Sequence, residues 1–275
     1  MTEKKINWSA TILLIIGAFF VLFPLYLTVM VAVKSPEQLS QSLLGIPSTF
    51  HFENFTKAIK MTHFFNAFKN SAIITVFVVI FTVLTNSMVA YAVARNMDKR
   101  FFRWLYYYFV SAMFVPFPII MLPIVKETAR WGLDNLLGLI FLYIVYGLAF
   151  NVFVYVGYIK SIPRELEEAA IVDGANVWTV FWKIIFPLLK PMNATVGILT
   201  CLWAWNDFML PLVILSGKQD QATLPLVQYI FQSQFSTDYN LAFASYLMAL
   251  IPMIIVYIFA QKWIIGNVTR GAVKS

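Results

Sequence analysis

The sequence has 275 residues, of which 60% are hydrophobic and 12% charged, with a mean hydropathy of +0.76. Soluble domains carry roughly 25% charge, so this chain has too little polar surface to cover a soluble fold and reads as a polytopic membrane protein. The net charge of +7 therefore orients spans and does not point to nucleic acid, while the single Cys201 excludes an intrachain disulfide and supplies no metal pattern.

In chain order, residues 1–9 are polar, with Lys4 and Lys5, and residues 10–33 form an apolar run interrupted by Pro24. That run is longer than a secretory-signal core and lacks an evident small-residue cleavage site, so it is expected to be an uncleaved first span. Residues 34–69 are too polar to cross a bilayer. A second span over 70–94 opens on Asn70-Ser71, and a basic turn with Arg95, Lys99, Arg100 and Arg103 follows. The third span, 104–125, holds Pro116, Pro118 and Pro123, which must break or kink it because each lacks an N–H donor and clashes with the preceding turn. A fourth span covers 135–159, a polar helical segment 160–187, a fifth span 191–215, a polar loop 216–240, and a sixth span 241–265. Each run approaches the roughly 20 residues that cross the hydrocarbon core. The fold class is therefore all-α, with six transmembrane helices.

Six spans place both termini on one side. Thirteen of the 20 Lys and Arg residues fall on that side and seven on the other. The positive-inside tendency then predicts cytoplasmic termini, and with them a cytoplasmic segment between spans four and five.

That segment contains Glu165-Leu166-Glu167-Glu168-Ala169-Ala170-Ile171-Val172-Asp173-Gly174-Ala175-Asn176. Pro163 and the three glutamates suit a helix start, the alanines favour helix without bulk, and Asp173-Gly174 supplies a turn. Asn176 starts a second helix carrying Val177, Trp178, Phe181, Ile184 and Ile185, which Pro187 and Pro191 end. The three glutamates read as a solvated face. On these grounds the segment is either a docking element for a basic partner or an ordinary amphipathic surface helix.

Glu168-Ala169-Ala170, three residues, Gly174, nine residues, and Ile184-Ile185-Phe186-Pro187 resemble the EAA loop of binding-protein-dependent ABC importer permeases, with Phe186 where that pattern has Leu. Asn70-Ser71, Trp205-Asn206-Asp207-Phe208, Thr223-Leu224-Pro225 and the ending Arg270-Gly271-Ala272-Val273-Lys274-Ser275 resemble the maltose-type carbohydrate-uptake members, in particular the shorter six-span subunit of a permease pair. The resemblance implies the type I importer (MetI-like) permease fold. It further implies a segment 1–66 with the first span, a permease core 67–265 containing a coupling helix over about 163–186, and a cytoplasmic tail 266–275. Glu168, Ala169, Ala170, Asp173, Gly174 and Pro187 would couple to an ATPase, and Arg270, Gly271 and Lys274 would reach it too. The implied partners are a second, related permease subunit, two ATPase subunits and an extracytoplasmic sugar-binding protein, in a bacterial cell membrane. No cofactor is expected on this chain. ATP and Mg would sit on the partner ATPase, in keeping with a sequence that has no phosphate-loop motif and no catalytic constellation.

Trp205, Asn206 and Asp207 offer an aromatic face and polar groups that suit sugar hydroxyls, so they are candidates for the translocation path. Asp207 has an alternative reading, pairing with a donor on a neighbouring helix or capping the kink near Pro211. His51 and His63 lack ligand spacing for a metal. An ion-driven secondary transporter would carry several intramembrane ionisable groups, of which Asp207 is the one clear instance. An intramembrane enzyme would need a nucleophile and base, and a permease for a non-sugar solute is opposed only by the resemblance at the fifth span and the ending.

Overall fold

The computed structural model describes the backbone of residues 7–232 and 238–272, and the side chains of 7–231 and 238–261. Every regular element among them is helical. The chain forms two compact units: residues 1–65 with 227–252, and residues 66–226 with 253–275. Residues 227–252 thus belong with the N-terminal segment.

The first unit is built around the end of α1 (Trp8–Ala32), which Asn7 caps by accepting from the Ala10 N–H at 3.3 Å. α1 has 25 residues, long enough for a bilayer at about 1.5 Å per residue. Its last carbonyls would be unsatisfied. Asn54 Nδ2 donates to Ala32 O and Lys34 O, both at 2.9 Å, and Asn240 Nδ2 to Val31 O and Lys34 O at 3.0 and 2.7 Å. Lys34 is itself buried, its ammonium donating to Ser42 O and Leu43 O at 2.7 and 3.0 Å. The segment expected to be merely polar is folded as α2 (Pro36–Gln41), opened by a Ser35–Gln38 capping box, and α3 (Glu53–Met61).

In the second unit, α4 (Phe64–Arg95) begins six residues before the expected span start, so Asn70 and Ser71 lie inside it. They are buried, and they hold the chain that follows the fifth span. Asn70 Nδ2 donates to Asp220 O and Ala222 O at 2.9 and 3.0 Å, and Ser71 Oγ accepts from Leu224 N–H at 2.9 Å. The expected third span is broken into α5 (Arg100–Ala112) and α6 (Phe117–Arg130), bent by 105°. Pro116 marks the break, Pro118 sits in the first turn of α6 where its missing donor costs little, and Pro123 lies inside α6. α7 (Leu136–Ile159) is continuous and capped by Asn135, which accepts from Gly138 N–H at 3.1 Å.

α8 (Glu165–Val172) and α9 (Val177–Val180) follow; α9 runs on through a π-helical turn, Phe181–Ile185, into α10 (Phe186–Leu188). Pro187 and Pro191 were expected to end this helix before the fifth span, and it ends between them, at Leu188, although not at Pro187 itself. The wider π turn precedes Pro187 and the chain bends by 74° two residues later, at Leu189. The expected fifth span is two pieces, α11 (Lys190–Asn206) and α12 (Met209–Ile214). The expected loop 216–240 contains a 3₁₀ turn, Gln219–Gln221, then α13 (Leu224–Gln228) and a second 3₁₀ turn, Tyr229–Gln232. α14 (Tyr239–Ala272) runs past the expected end of the sixth span, so residues 266–272 of the expected tail are helical.

Four helices, α1, α4, α7 and α14, are each long and apolar enough to cross a membrane, and the two bent pairs raise the number to as many as six. Two apolar clusters build the second unit. One joins Ala90, Val93 and Ala94 of α4 to Val152, Tyr155, Val156 and Ile159 of α7 and to Val180, Phe181 and Ile185. The other joins Ile74 and Val78 of α4 to Leu139, Ile140 and Tyr143 of α7 and to Leu210 and Ile214 of α12.

Candidate functional site

The α8–α9 hairpin is set by backbone chemistry. Gly174 has φ +85°, in the left-handed region that glycine enters without steric cost. Its N–H donates to Ile171 O at 2.9 Å and Ala175 N–H to Ala170 O at 2.9 Å, the paired bonds of a Schellman ending that satisfy the last carbonyls of α8. Asp173 closes α8 through its N–H to Ala169 O at 3.1 Å, and Asn176 starts α9 by accepting from Thr179 N–H at 2.8 Å. Glu168, Ala169, Asp173 and Gly174 are exposed, while Ala170 and Ala175 pack on the core. Leu166, Ile171, Val172, Val177 and Trp178 are also exposed, so the hairpin presents an apolar surface edged by carboxylates. Pro187 is exposed as well but lies at the far end of the second arm.

Glu167 departs from its expected place on a solvated face. It is 7% exposed. Arg95 binds its Oε1 through Nε at 2.6 Å and Nη2 at 2.5 Å, and Tyr91 Oη donates to Oε2 at 2.7 Å. Arg95 Nη2 also donates to Ile162 O at 3.1 Å. A carboxylate in this position must be paired, since an uncompensated buried charge costs several kcal/mol. Sequence reading missed Arg95 and Tyr91 as partners. One signal was available: Glu167 and Ala170 are three apart, hence on one helical face, and Ala170 is the small residue of the three-residue motif that turns inward.

The three fifth-span candidates have different surroundings. Trp205 is buried with its ring edge-on to Phe68, 5.8 Å between centroids. Asn206 is exposed and donates to Leu202 O at 2.7 Å. Asp207 ends α11 in extended backbone and does both things its alternative reading proposed. Its Oδ2 accepts from Tyr143 Oη at 2.8 Å, and its carboxylate caps α12 by accepting from Met209 N–H at 3.1 Å and Leu210 N–H at 3.3 Å. Asp207 also lines a cavity of about 870 Å³ between α5, α6, α7 and α11, together with Tyr108, Phe117, Tyr146 and Trp203. Trp203, not Trp205, is the tryptophan facing this space, its ring edge-on to Tyr143 at 5.0 Å. Two residues along a helix turn a side chain by about 200°, whereas four bring it back to nearly the same face, and Trp203 is four from Asp207.

Arg270 and Gly271 lie in the last turns of α14 with their side-chain surroundings outside the described residues, and Lys274 lies outside them altogether.

Apolar helices long enough to cross a membrane, two bent helix pairs and a short exposed hairpin are the features of a membrane-embedded subunit with a surface for a soluble partner. Residues 86–270 match the family described as the binding-protein-dependent transport system inner membrane component, and the chain belongs to that family. It is 42% identical over 275 residues to the multiple sugar-binding transport system permease protein MsmG of Streptococcus mutans, covering 99% of both chains. It is 34% identical over 274 residues to the probable starch degradation products transport system permease protein AmyC of Thermoanaerobacterium thermosulfurigenes, covering 98% and 99%. Among solved structures, a chain of a bacterial ABC transporter that imports the acidic polysaccharide alginate superposes with TM-score 0.78 at 25% identity, over 93% of this chain and 95% of that one. The fold is that of an ABC importer permease.

Proposed function

We propose that this chain is one half of the translocation pathway of an ATP-driven carbohydrate importer. The single observation that carries the proposal is the α8–α9 hairpin, where Glu168 and Ala169 are exposed beside a turn fixed by Gly174 at φ +85°. A small-residue face with acidic acceptors lets a soluble partner approach the backbone closely. In this reading the hairpin, with Pro187 at its far end, seats in a cytoplasmic ATPase, and Arg270, Gly271 and Lys274 reach the same partner. Two ATPase subunits carry ATP and Mg, and this chain has no ATP site. A second, related permease subunit completes the pathway, and an extracytoplasmic sugar-binding protein delivers the substrate. Both termini are cytoplasmic, as the excess of Lys and Arg on their side supports. Transport proceeds by alternating access, nucleotide and sugar biasing two packings of the same helices.

The cavity beside Asp207 supplies a wall of the sugar path. Its volume lies within the roughly 300–1,000 Å³ of small-molecule sites, and Trp203 offers an aromatic face of the kind that stacks on sugar rings. Sugar as the substrate class rests on the similarity to sugar-transport permeases.

The test is purification of the tagged chain in mild detergent from its native membrane, followed by mass spectrometry and uptake assays in proteoliposomes. Co-purification of a second permease, an ATPase and a binding protein, with ATP-dependent oligosaccharide uptake, is the expected result. A chain that purifies alone and transports without ATP would overturn the proposal in favour of an ion-driven carrier. ATP-dependent uptake of a non-sugar solute would overturn the substrate class alone.

A further inference from the structure

The cluster of buried Glu167 with half-buried Arg95 and Tyr91 lies between the hairpin and α4, and none of the coupling motif's exposed residues belongs to it. Arg95 is the last residue of α4, and Tyr91 stands one turn before it. Their three bonds to Glu167 span 72 and 76 residues of sequence, with side-chain exposure of 12% for Arg95 and 10% for Glu167. The same two α4 side chains reach three pieces of the proposed coupling region: α8 through Glu167, the connection before it, and the second arm. Arg95 also binds the carbonyl of Ile162 in the α7–α8 connection at 3.1 Å, and the Tyr91 ring packs on Phe181 in the second arm at 5.4 Å.

The chemistry differs from the apolar packing around it. Apolar contact is non-directional and fixes no single pairing of atoms. A carboxylate held on one oxygen by a guanidinium and on the other by a phenol has one geometry, and separating it leaves the buried Glu167 charge without its partners. We propose that Arg95, Glu167 and Tyr91 are positioning residues that lock the α8–α9 hairpin to the end of α4, so that a displacement of the hairpin by its partner moves α4 with it. The lock transmits force and touches neither nucleotide nor sugar. This rests on the reading of the hairpin as the ATPase-coupling element.

The test uses the complete complex in proteoliposomes, with ATP hydrolysis and sugar uptake measured on the same vesicles and normalised to assembled complex. Glu167→Gln keeps the shape and removes the charge, and it should lower sugar carried per ATP about tenfold, within the range of typical coupling free energies. Tyr91→Phe removes one hydroxyl and should lower the ratio less, by about threefold. The exchange Arg95→Glu with Glu167→Arg should recover most of what either change alone removes. A purely structural role would reduce the amount of assembled complex and leave the ratio per complex unchanged. A ratio within about twofold of wild type in Glu167→Gln, or in Tyr91→Phe where Glu167→Gln does not assemble, overturns the lock. Failure of the wild type itself to couple ATP to uptake overturns the lock together with the function on which it rests.

Discussion

Two carboxylates stand near opposite ends of α7 and were read from the sequence in different ways. Glu167, one of three glutamates in an acidic helix, looked solvated and is buried. Asp207, alone in an apolar run, was read either as a candidate for the path or as a pairing and capping group, and it pairs and caps. Glu167 meets a guanidinium and a phenol from a helix more than seventy residues away. Asp207 meets one phenol and two backbone N–H groups, the latter two and three residues ahead of it. The difference teaches where each carboxylate draws its compensation. Asp207 is satisfied largely by the local chain, because a helix break exposes N–H donors that a carboxylate can accept. Glu167 is satisfied entirely at long range, and its own helix offers only the shared face with Ala170, which names no partner.

The comparison can be broken most forcefully at the two tryptophans beside Asp207. Trp205→Ala should cost about 3–5 kcal/mol, the usual range for emptying a buried aromatic site, seen as a lower unfolding temperature in detergent. Trp203→Ala should leave that temperature nearly unchanged and raise the sugar concentration needed for half-maximal uptake. The reverse pattern would show that the cavity is not on the sugar path. Next in size is Gly174→Val. A β-branched residue at φ +85° costs about 1–3 kcal/mol of strain, which should distort the turn and separate ATP hydrolysis from transport while membrane insertion stays normal. Gly174→Asn should be milder, because asparagine tolerates this backbone region. Full transport by Gly174→Val would remove the turn from the coupling account.

Asp207→Ala should cost about 1–3 kcal/mol, since it deprives the Tyr143 hydroxyl and the start of α12 of their acceptor together. Asp207→Asn keeps an acceptor and should cost under about 1 kcal/mol, with uptake lowered modestly and sugar preference retained. A complete switch of preference in Asp207→Asn would make Asp207 a binding group before a structural one.

The smallest effect belongs to a half-exposed pair that serves as a control for Glu167 and Asp207. Lys218 Nζ bonds Asp134 Oδ2 at 2.6 Å and also donates to the Asp134 carbonyl, joining the α6–α7 connection to the segment after α12. The hydrogen bond from Lys218 holds the Asp134 carboxyl below its ordinary value of 3.8. A folded-state value below the unfolded one stabilises at pH above 3.8 and is lost as pH falls through the folded value. Lys218→Ala should therefore lower the unfolding temperature slightly at pH 7. The difference should fade in high salt and in acid, as a half-exposed pair requires. A large loss at pH 7 would show that the pair is not solvent-screened.

Much of this molecule was legible in order of sequence. Apolar run length determined the number of candidate spans, because a helix must satisfy its own backbone in lipid and needs about 20 residues to cross. Pro116 announced the break between α5 and α6, and Asp173-Gly174 the hairpin turn, because both act through backbone geometry that a residue carries with it. Asn176, which caps the next helix, also follows from a local rule. What only the tertiary structure decided is which side chains meet. Asn70 and Ser71 were read as the opening of a span, and they bind the carbonyls and N–H of residues 220–224 across 150 residues of chain. Trp205 turned inward and Trp203 turned to the cavity because the neighbouring helices α4 and α7 settle which face of α11 is buried. Glu167 found Arg95 because α4 ends beside α8. Backbone preference is a property of a residue and its nearest neighbours, so sequence shows it. Burial and pairing are properties of whatever packs alongside, and they exist only once the helices have assembled.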